Sequence, residues 1–343
     1  MKHDLPCAIV QDLLPNYLEG MTSDETNQAI ERHLADCAAC AACKAAMAGE
    51  TSAESAEQAR EVDYLKKVKR RNGKRILLAV LCTILLFVAG VAAKIFLIGQ
   101  PVTEGSFGCA MIYDDERMEL TVSSHGSANA FKDFDVEIRD GIAYVEGRSV
   151  LVSSLYREGS ATVEIPLEGV SQIYVCGRLV WADGVAVHPE TLQLYESKTL
   201  YVGDISALNQ IANQLEIRPH VGDWLNSLHT SSEPYRWTLE FTADGWQGVN
   251  KKTYINEDMP RYAAQLLALV ENLDEVGWTW TDEDGVFHEA FITAEEVNAL
   301  LPEWTDAYNA EYDTQWVALP NIKDYASSPA ALQKLLHITN PYN

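Results

Sequence analysis

His33-Leu-Ala-Asp-Cys37-Ala-Ala-Cys40, preceded by Cys7, gathers four thiol and imidazole groups into the first 40 residues of the chain. A helix over residues 23 to 36 would place His33 and Cys37, four apart, on one face, with Cys40 a further turn on at the helix end. A preceding helix over residues 4 to 19, with Leu5, Ile9, Leu13, Leu14 and Leu18 as its apolar stripe, carries Cys7. Three cysteines and one histidine are the donor set of a closed tetrahedral zinc site. The expected cofactor is therefore one Zn2+ held by Cys7, His33, Cys37 and Cys40. Its role would be structural, because a hairpin this short has little core and needs a staple.

Neighbouring residues support the helices. Thr22-Ser23-Asp24-Glu25 offers a hydroxyl N-cap, a glutamate three residues later as in a capping box, and acidic groups in the positive first turn. Gly20 is suited to close the first helix. Cys43 extends the run to Cys-x2-Cys-x2-Cys, a pattern also open to a redox pair. His33 adds nothing to a thiol pair but completes a metal site, so zinc is the reading and Cys43 a spectator. His3, four residues before Cys7, is a candidate competing ligand or outer partner.

With its upstream cysteine, the helix ending near Tyr17-Leu18-Glu19-Gly20 and His33-x3-Cys37-x2-Cys40, the segment from residue 1 to about 48 resembles the zinc-binding anti-sigma domain. The resemblance implies a transcription regulator that binds an extracytoplasmic-function sigma factor and keeps it from RNA polymerase. It also implies that the apolar faces of these helices, and of the helix after the zinc site, form the partner surface.

From Ile76 to Ile98 the chain is apolar apart from Lys94. At ~1.5 Å per residue that length crosses a ~30 Å hydrocarbon core. A single transmembrane helix is expected, too far into the chain for an ordinary cleaved signal peptide. Lys94, near its far end, can snorkel to the headgroups. Seven of the ten residues from 66 to 75 are basic (Lys66, Lys67, Lys69, Arg70, Arg71, Lys74, Arg75), so the positive-inside rule places the N-terminus in the cytoplasm. The same run would bind anionic lipid. Cytosolic thiols stay reduced, which suits metal ligation.

The expected organisation is a multi-domain, single-pass membrane protein. It comprises an all-α zinc-stapled head (1–48), a polar and basic linker (49–75), the span (76–98), a β-sandwich-like domain (100–193) and an α+β domain (194–343). Residues 100 to 343 would be extracytoplasmic. They carry 14 basic against 38 acidic side chains, essentially all of the net charge of −24, which argues against nucleic acid as a direct partner.

In the first outer domain, Met118–Val122, Phe134–Ile138, Ile142–Val145, Ala161–Ile165 and Ile173–Trp181 read as strands, with Asp140-Gly141 and Asp183-Gly184 as turns. Cys109 and Cys176 are its thiols, and sequence leaves open one disulfide or two buried free cysteines. In the second, Ser206–Leu215 and Pro260–Leu273 read as helices, the latter with proline in its first turn. Tyr235–Phe241, Val276–Trp280 and Val286–Phe291 read as strands of a small antiparallel sheet with helices on one face, and Thr293 to Glu296 as a further helix cap. Leu200-Tyr-Val-Gly-Asp204 and Glu233-Pro-Tyr235 resemble a domain of unknown function from extracytoplasmic parts of Gram-positive bacterial proteins, over about residues 195 to 281.

No catalytic motif emerges. The outer histidines (His125, His188, His220, His229, His288, His337) are scattered, without His-Glu-x-x-His, Gly-x-Ser-x-Gly or a phosphate loop. Asp282-Glu283-Asp284-Gly285 reads as a hairpin turn, since glycine falls too early for a calcium loop. Trp278 and Trp280 read as core. The chain is thus expected to be a non-enzymatic regulator whose outer region senses a ligand that sequence does not name. The alternative is an envelope structural or ligand-binding protein whose zinc-stapled head is an adaptor with no sigma partner.

Overall fold

The computed structural model describes residues 5–114, 116–242, 251–282 and 284–340. They form an N-terminal helical head with an apolar helix after it, then a β-rich and helical region. The chain divides into two compact units, Met1–Val91 and Ala92–Asn343.

In the first unit, α1 (Cys7–Leu18) ends where Gly20 takes φ +70°. The Gly20 and Met21 N–H groups return to Tyr17 O and Asn16 O at 3.2 and 2.9 Å, satisfying carbonyls the helix leaves open. α2 (Asp24–Asp36) is capped by Ser23, whose Oγ accepts from Thr26 N. The capping box expected from Thr22 and Glu25 does not form. The cap lies one residue later, and Thr22 instead bonds the Asn27 side chain. Val10, Leu14, Ile30 and Cys40 are the fully buried core, flanked by Leu5, Leu13, Tyr17, Leu34 and Met47.

The backbone turns extended at Cys37 (φ −120°, ψ 97°), and α3 (Ala38–Ala93) starts directly after it. Cys40 therefore sits on α3, not at the end of α2. α3 continues without a break through residues 49–65, expected as a polar linker, into the apolar run. Lys67–Ile98 is a helix long and apolar enough to cross a membrane, and none of its most apolar stretch is buried by protein.

The second unit opens with a π-helical turn, Lys94–Ile98, and then two sheets. The strands are β1 (Gln100–Pro101), β2 (Phe107–Tyr113), β3 (Arg117–Ser124), β4 (Asn129–Arg139), β5 (Ile142–Leu151), β6 (Ser160–Pro166), β7 (Gln172–Val175), β8 (Arg178–Ala182) and β9 (Val185–Ala186). One sheet runs β2-β3-β6; the other runs β1-β5-β7-β8-β9, with β4 beside β5. Alternate residues of β3 (Met118, Leu120, Val122) pack with Phe107 and Ile165 against Ala143, Val145, Ile173 and Val175 of the facing sheet. Asp140-Gly141 and Asp183-Gly184 have positive φ at both positions, as two-residue hairpins require. So does Cys176-Gly177. The single strand expected over Ile173–Trp181 is consequently the hairpin β7–β8, folded about a Cys-Gly pair that few turn rules would flag.

The remaining elements are α4 (Pro189–Glu196), α5 (Ile205–Gln214), α6 (Ile217–Val221), β10 (Trp224–His229), β11 (Arg236–Phe241), α7 (Lys251–Leu269), β12 (Glu275–Thr281), β13 (Phe287–Thr293), α8 (Ala294–Tyr312) and α9 (Pro329–Ile338). The sheet order is β10-β11-β12-β13. It is mixed, not antiparallel: β11 and β12 are parallel, Trp237 opposite Val276, because α7 returns the chain to the end of the sheet where β11 began. α7 also starts well before Pro260, which lies inside it. α8 begins with the reciprocal Thr293–Glu296 capping box that its sequence announces. Trp237, Leu239, Trp278 and the buried side of α7 share one core. A smaller cluster, Leu179, Ala182, Val185, Val187 and Ala330, packs α9 on the second sheet of the sandwich.

Candidate metal centre

The fold brings Cys7, His33, Cys37 and Cys40 together from the start of α1, the last turn of α2, the α2–α3 junction and the first turn of α3. One donor atom from each lies within 4.8 Å of the others. Cys7 Sγ and Cys37 Sγ are 3.8 Å apart. The α2–α3 break is what permits this. Cys37 N donates to His33 O and Ala41 N donates to Cys37 O, so Cys37 joins two helical hydrogen-bond ladders while its own extended backbone turns Cys40 back toward the cluster.

The donors fit a soft divalent cation. His33 Nε2 is buried and has no hydrogen-bond partner, which leaves a costly orphan unless a further group meets it. Cys37 is lowered from 9.0 to about 7, first by the backbone N–H of Cys40 and then by side-chain hydrogen bonds from Cys40 and Cys7. Cys40 is raised to about 11, first by burial and then by its bonds to Cys37 and Cys7. Protein groups alone thus favour thiolate at Cys37 and thiol at Cys40. A bound cation reverses that balance, because each thiolate is then paired with positive charge.

Gln11, one turn after Cys7, was not singled out by the sequence; its Nε2 lies 3.9 Å from Cys40 Sγ and orients it from outside the donor set. The only available signal was its i+4 spacing from Cys7. Tyr17 ties the helices further: its hydroxyl donates to Glu31 Oε1 at 3.1 Å, and Lys44 Nζ stands 4.8 Å over its ring. Cys43 packs against the small core and is not among the clustered donors. His3 lies outside the described residues.

Elsewhere the acidic turn is a hairpin. Asp282 Oδ1 accepts from Asp284 N and Val286 N, and Oδ2 meets His288 Nε2 at 2.8 Å. That histidine, then the backbone donors, holds the Asp282 carboxyl below its usual range. Glu283, in the same turn, lies outside the described residues. Trp278 and Trp280 are buried in the core. Cys109 and Cys176 are free thiols of the sandwich core, and Arg178 Nη2 lies 3.9 Å from Cys109 Sγ.

Residues 7–41 match the family model of a zinc finger of the anti-sigma-factor type. Residues 194–293 match the model of a domain of unknown function, DUF4825. The candidate membrane helix lies between the two segments. No curated protein matches the chain, and no solved structure does.

Proposed function

We propose that this chain is a membrane-anchored, anti-sigma-like regulator of transcription. Its head holds one structural Zn2+ on Cys7, His33, Cys37 and Cys40, and binds an extracytoplasmic-function sigma factor. The observation that carries the reading is the convergence of those four donors inside a segment that matches the zinc-finger model. A cation with no preferred geometry of its own would be held by all four donors of this Cys3His set, leaving no position for a substrate. In this reading no residue of the chain catalyses a reaction.

Burial supports a division of the head into core and proposed partner surface. Leu14 and Ile30 are fully buried, whereas Ile9 is exposed and Leu13 half-buried, with Tyr17 continuing their face of α1. In this reading the contact face is Ile9 with the exposed parts of Leu13 and Tyr17, whose other sides flank the core. A head with four fully buried core residues leaves apolar surface that a partner helix would cover. The basic run from Lys66 to Arg75 supports a cytoplasmic head and an extracytoplasmic second unit, which in this reading senses a ligand.

Co-purification tests the reading. Residues 1–343 in detergent are expected to retain one sigma factor of the source bacterium and to lose it in Leu13→Asp while the zinc content stays at one per chain. Retention of none, with zinc bound, favours the adaptor role instead.

A further inference from the structure

Within the second unit, the last turn of the apolar helix is tied to the strand that follows it. Gly99, at φ +76°, closes the turn Lys94–Ile98, and its N–H donates to Lys94 O at 2.9 Å. Lys94 Nζ reaches back to Gly99 O at 3.0 Å, so the one charge in the apolar run is spent on the helix end itself. A Cβ on Gly99 would stand 2.5 Å from Ser149 O and 2.9 Å from Val150 Cγ1, so the backbone here lies flush on β5. The next two residues pair with β5, Gln100 opposite Ser149 and Pro101 opposite Arg148.

Because that pairing is antiparallel, β5 beyond Ser149 runs back toward the helix end. Ile95 and Leu151 line the same cleft. The following loop, residues 152–159, carries Val152 and Leu155, both exposed, and Leu155 is 70% exposed. Its tip is ordered by hydrogen bonds. Ser153 N donates to Tyr156 O at 2.8 Å, Ser153 Oγ accepts from Leu155 N and Tyr156 N at 3.3 Å, and Val152 N donates to Ala128 O at 2.9 Å. Leu155 is therefore held outward at the loop tip, exposed as Leu97 and Ile98 of the helix end are, with Arg157 exposed two residues on.

We propose that the 152–159 loop is a membrane-contact loop, with Leu155 and Val152 seated in the interfacial layer of the bilayer and Arg157 at the phosphates. This rests on the reading of Lys67–Ile98 as a membrane span. The occupant is lipid because the loop is continuous with the helix end through β1 and β5. The register that sets Gln100 opposite Ser149 carries β5, and the loop after it, toward the helix end at Ile98. Apolar side chains beside a cationic one suit that layer, where the former are buried and the latter meets anionic headgroups.

Depth-dependent quenching tests the contact. The full chain is reconstituted into phosphatidylcholine liposomes with an environment-sensitive fluorescent amino acid replacing Leu86, Leu155 or Ile112, one at a time. Lipids brominated on their acyl chains act as quenchers. Ile112 is the control: it is 75% exposed, yet lies at the end of β2 away from Ser106, which lines the cleft with Ile95. The expected result is quenching at positions 86 and 155 and none at 112. Quenching at 86 without quenching at 155 overturns the proposal, as does equal quenching at 155 and 112, which would mean general adsorption. No quenching at 86 removes the membrane span itself, and the loop contact with it.

Discussion

Cys7 Sγ and Cys37 Sγ stand 3.8 Å apart across 30 positions of sequence. That approach fixes α1 against the α2–α3 junction, and the fully buried hydrophobic residues holding it are Val10, Leu14 and Ile30, together with Cys40 itself. So little apolar burial does not hold three helix ends in register against chain entropy. A metal across the four donors would supply what the core lacks.

Chelation is accordingly expected to unfold the head while leaving the second unit folded. Circular dichroism of the full chain should lose helix signal on adding a strong zinc chelator under reducing conditions, and regain it on adding Zn2+. Cys37→Ser combined with Cys40→Ser should bring the metal content close to zero. A content unchanged by that double substitution would discard the site.

Leu13 and Leu14 are adjacent but should answer differently to truncation. Leu14→Ala empties a fully buried position and is expected to cost ~2–5 kcal/mol, enough to unfold a head this small. Leu13→Ala removes a half-buried side chain and should leave zinc content and helicity nearly intact. If Leu14→Ala leaves the metal-bound head as stable as Leu13→Ala does, the division between core and contact face is wrong.

Gly99→Ala is expected to destabilise the second unit by about 1–3 kcal/mol, through positive φ and through the collision with β5. Gly20→Ala offers the comparison, since nothing lies within 4 Å of a Cβ there and only φ +70° opposes it. Thermal unfolding of the two variants should therefore show a drop in the second unit for Gly99→Ala alone.

Lys323 donates to the Val270 and Leu273 carbonyls at 2.7 and 2.8 Å and also to Leu267 O, capping the end of α7. Burial lowers it from 10.5 to about 8, while Asp274 and Glu271 pull the other way. Between those two values the unfolded chain binds more protons at this group than the folded chain does. Its contribution to stability therefore rises as pH increases from about 8 to 10.5, and is lost as pH falls back through about 8. Lys323→Met should remove that slope and cost about 1–3 kcal/mol by leaving the buried carbonyls without a donor. Denaturant midpoints across this pH range provide the measurement, and a variant with the same slope as the parent would refute the assignment.

A reporter fused after Asn343 should behave as extracytoplasmic, because the basic run precedes the apolar helix. Labelling of Cys43 in intact cells by a membrane-impermeant thiol reagent would reverse the orientation, and the sigma-factor reading would fall with it.

The parts legible in the amino-acid order were those set by local rules. The Cys and His spacing, the Gly20 stop, the Thr293–Glu296 capping box and the Asp-Gly hairpins each depend on residues within a turn or two of one another. The apolar run from Ile76 to Ile98 is legible for a similar reason, since solvent transfer is summed residue by residue. Other features depended on partners distant in sequence. Trp237 meets Val276 in a parallel pair only because α7 packs back over the sheet, and Ile173–Trp181 splits because Val175 and Arg178 find each other across Cys176-Gly177. The same holds for Gln11 at Cys40, and for Gly99 against Ser149. The sequence by itself therefore determined which residues could ligate a metal, cross a membrane or turn the chain. Tertiary packing alone decided that Cys40 belongs to α3, that Leu14 is fully buried while Leu13 is half-buried, and that the helix end is seated on β5, because burial and contact are properties of pairs that chain order does not contain.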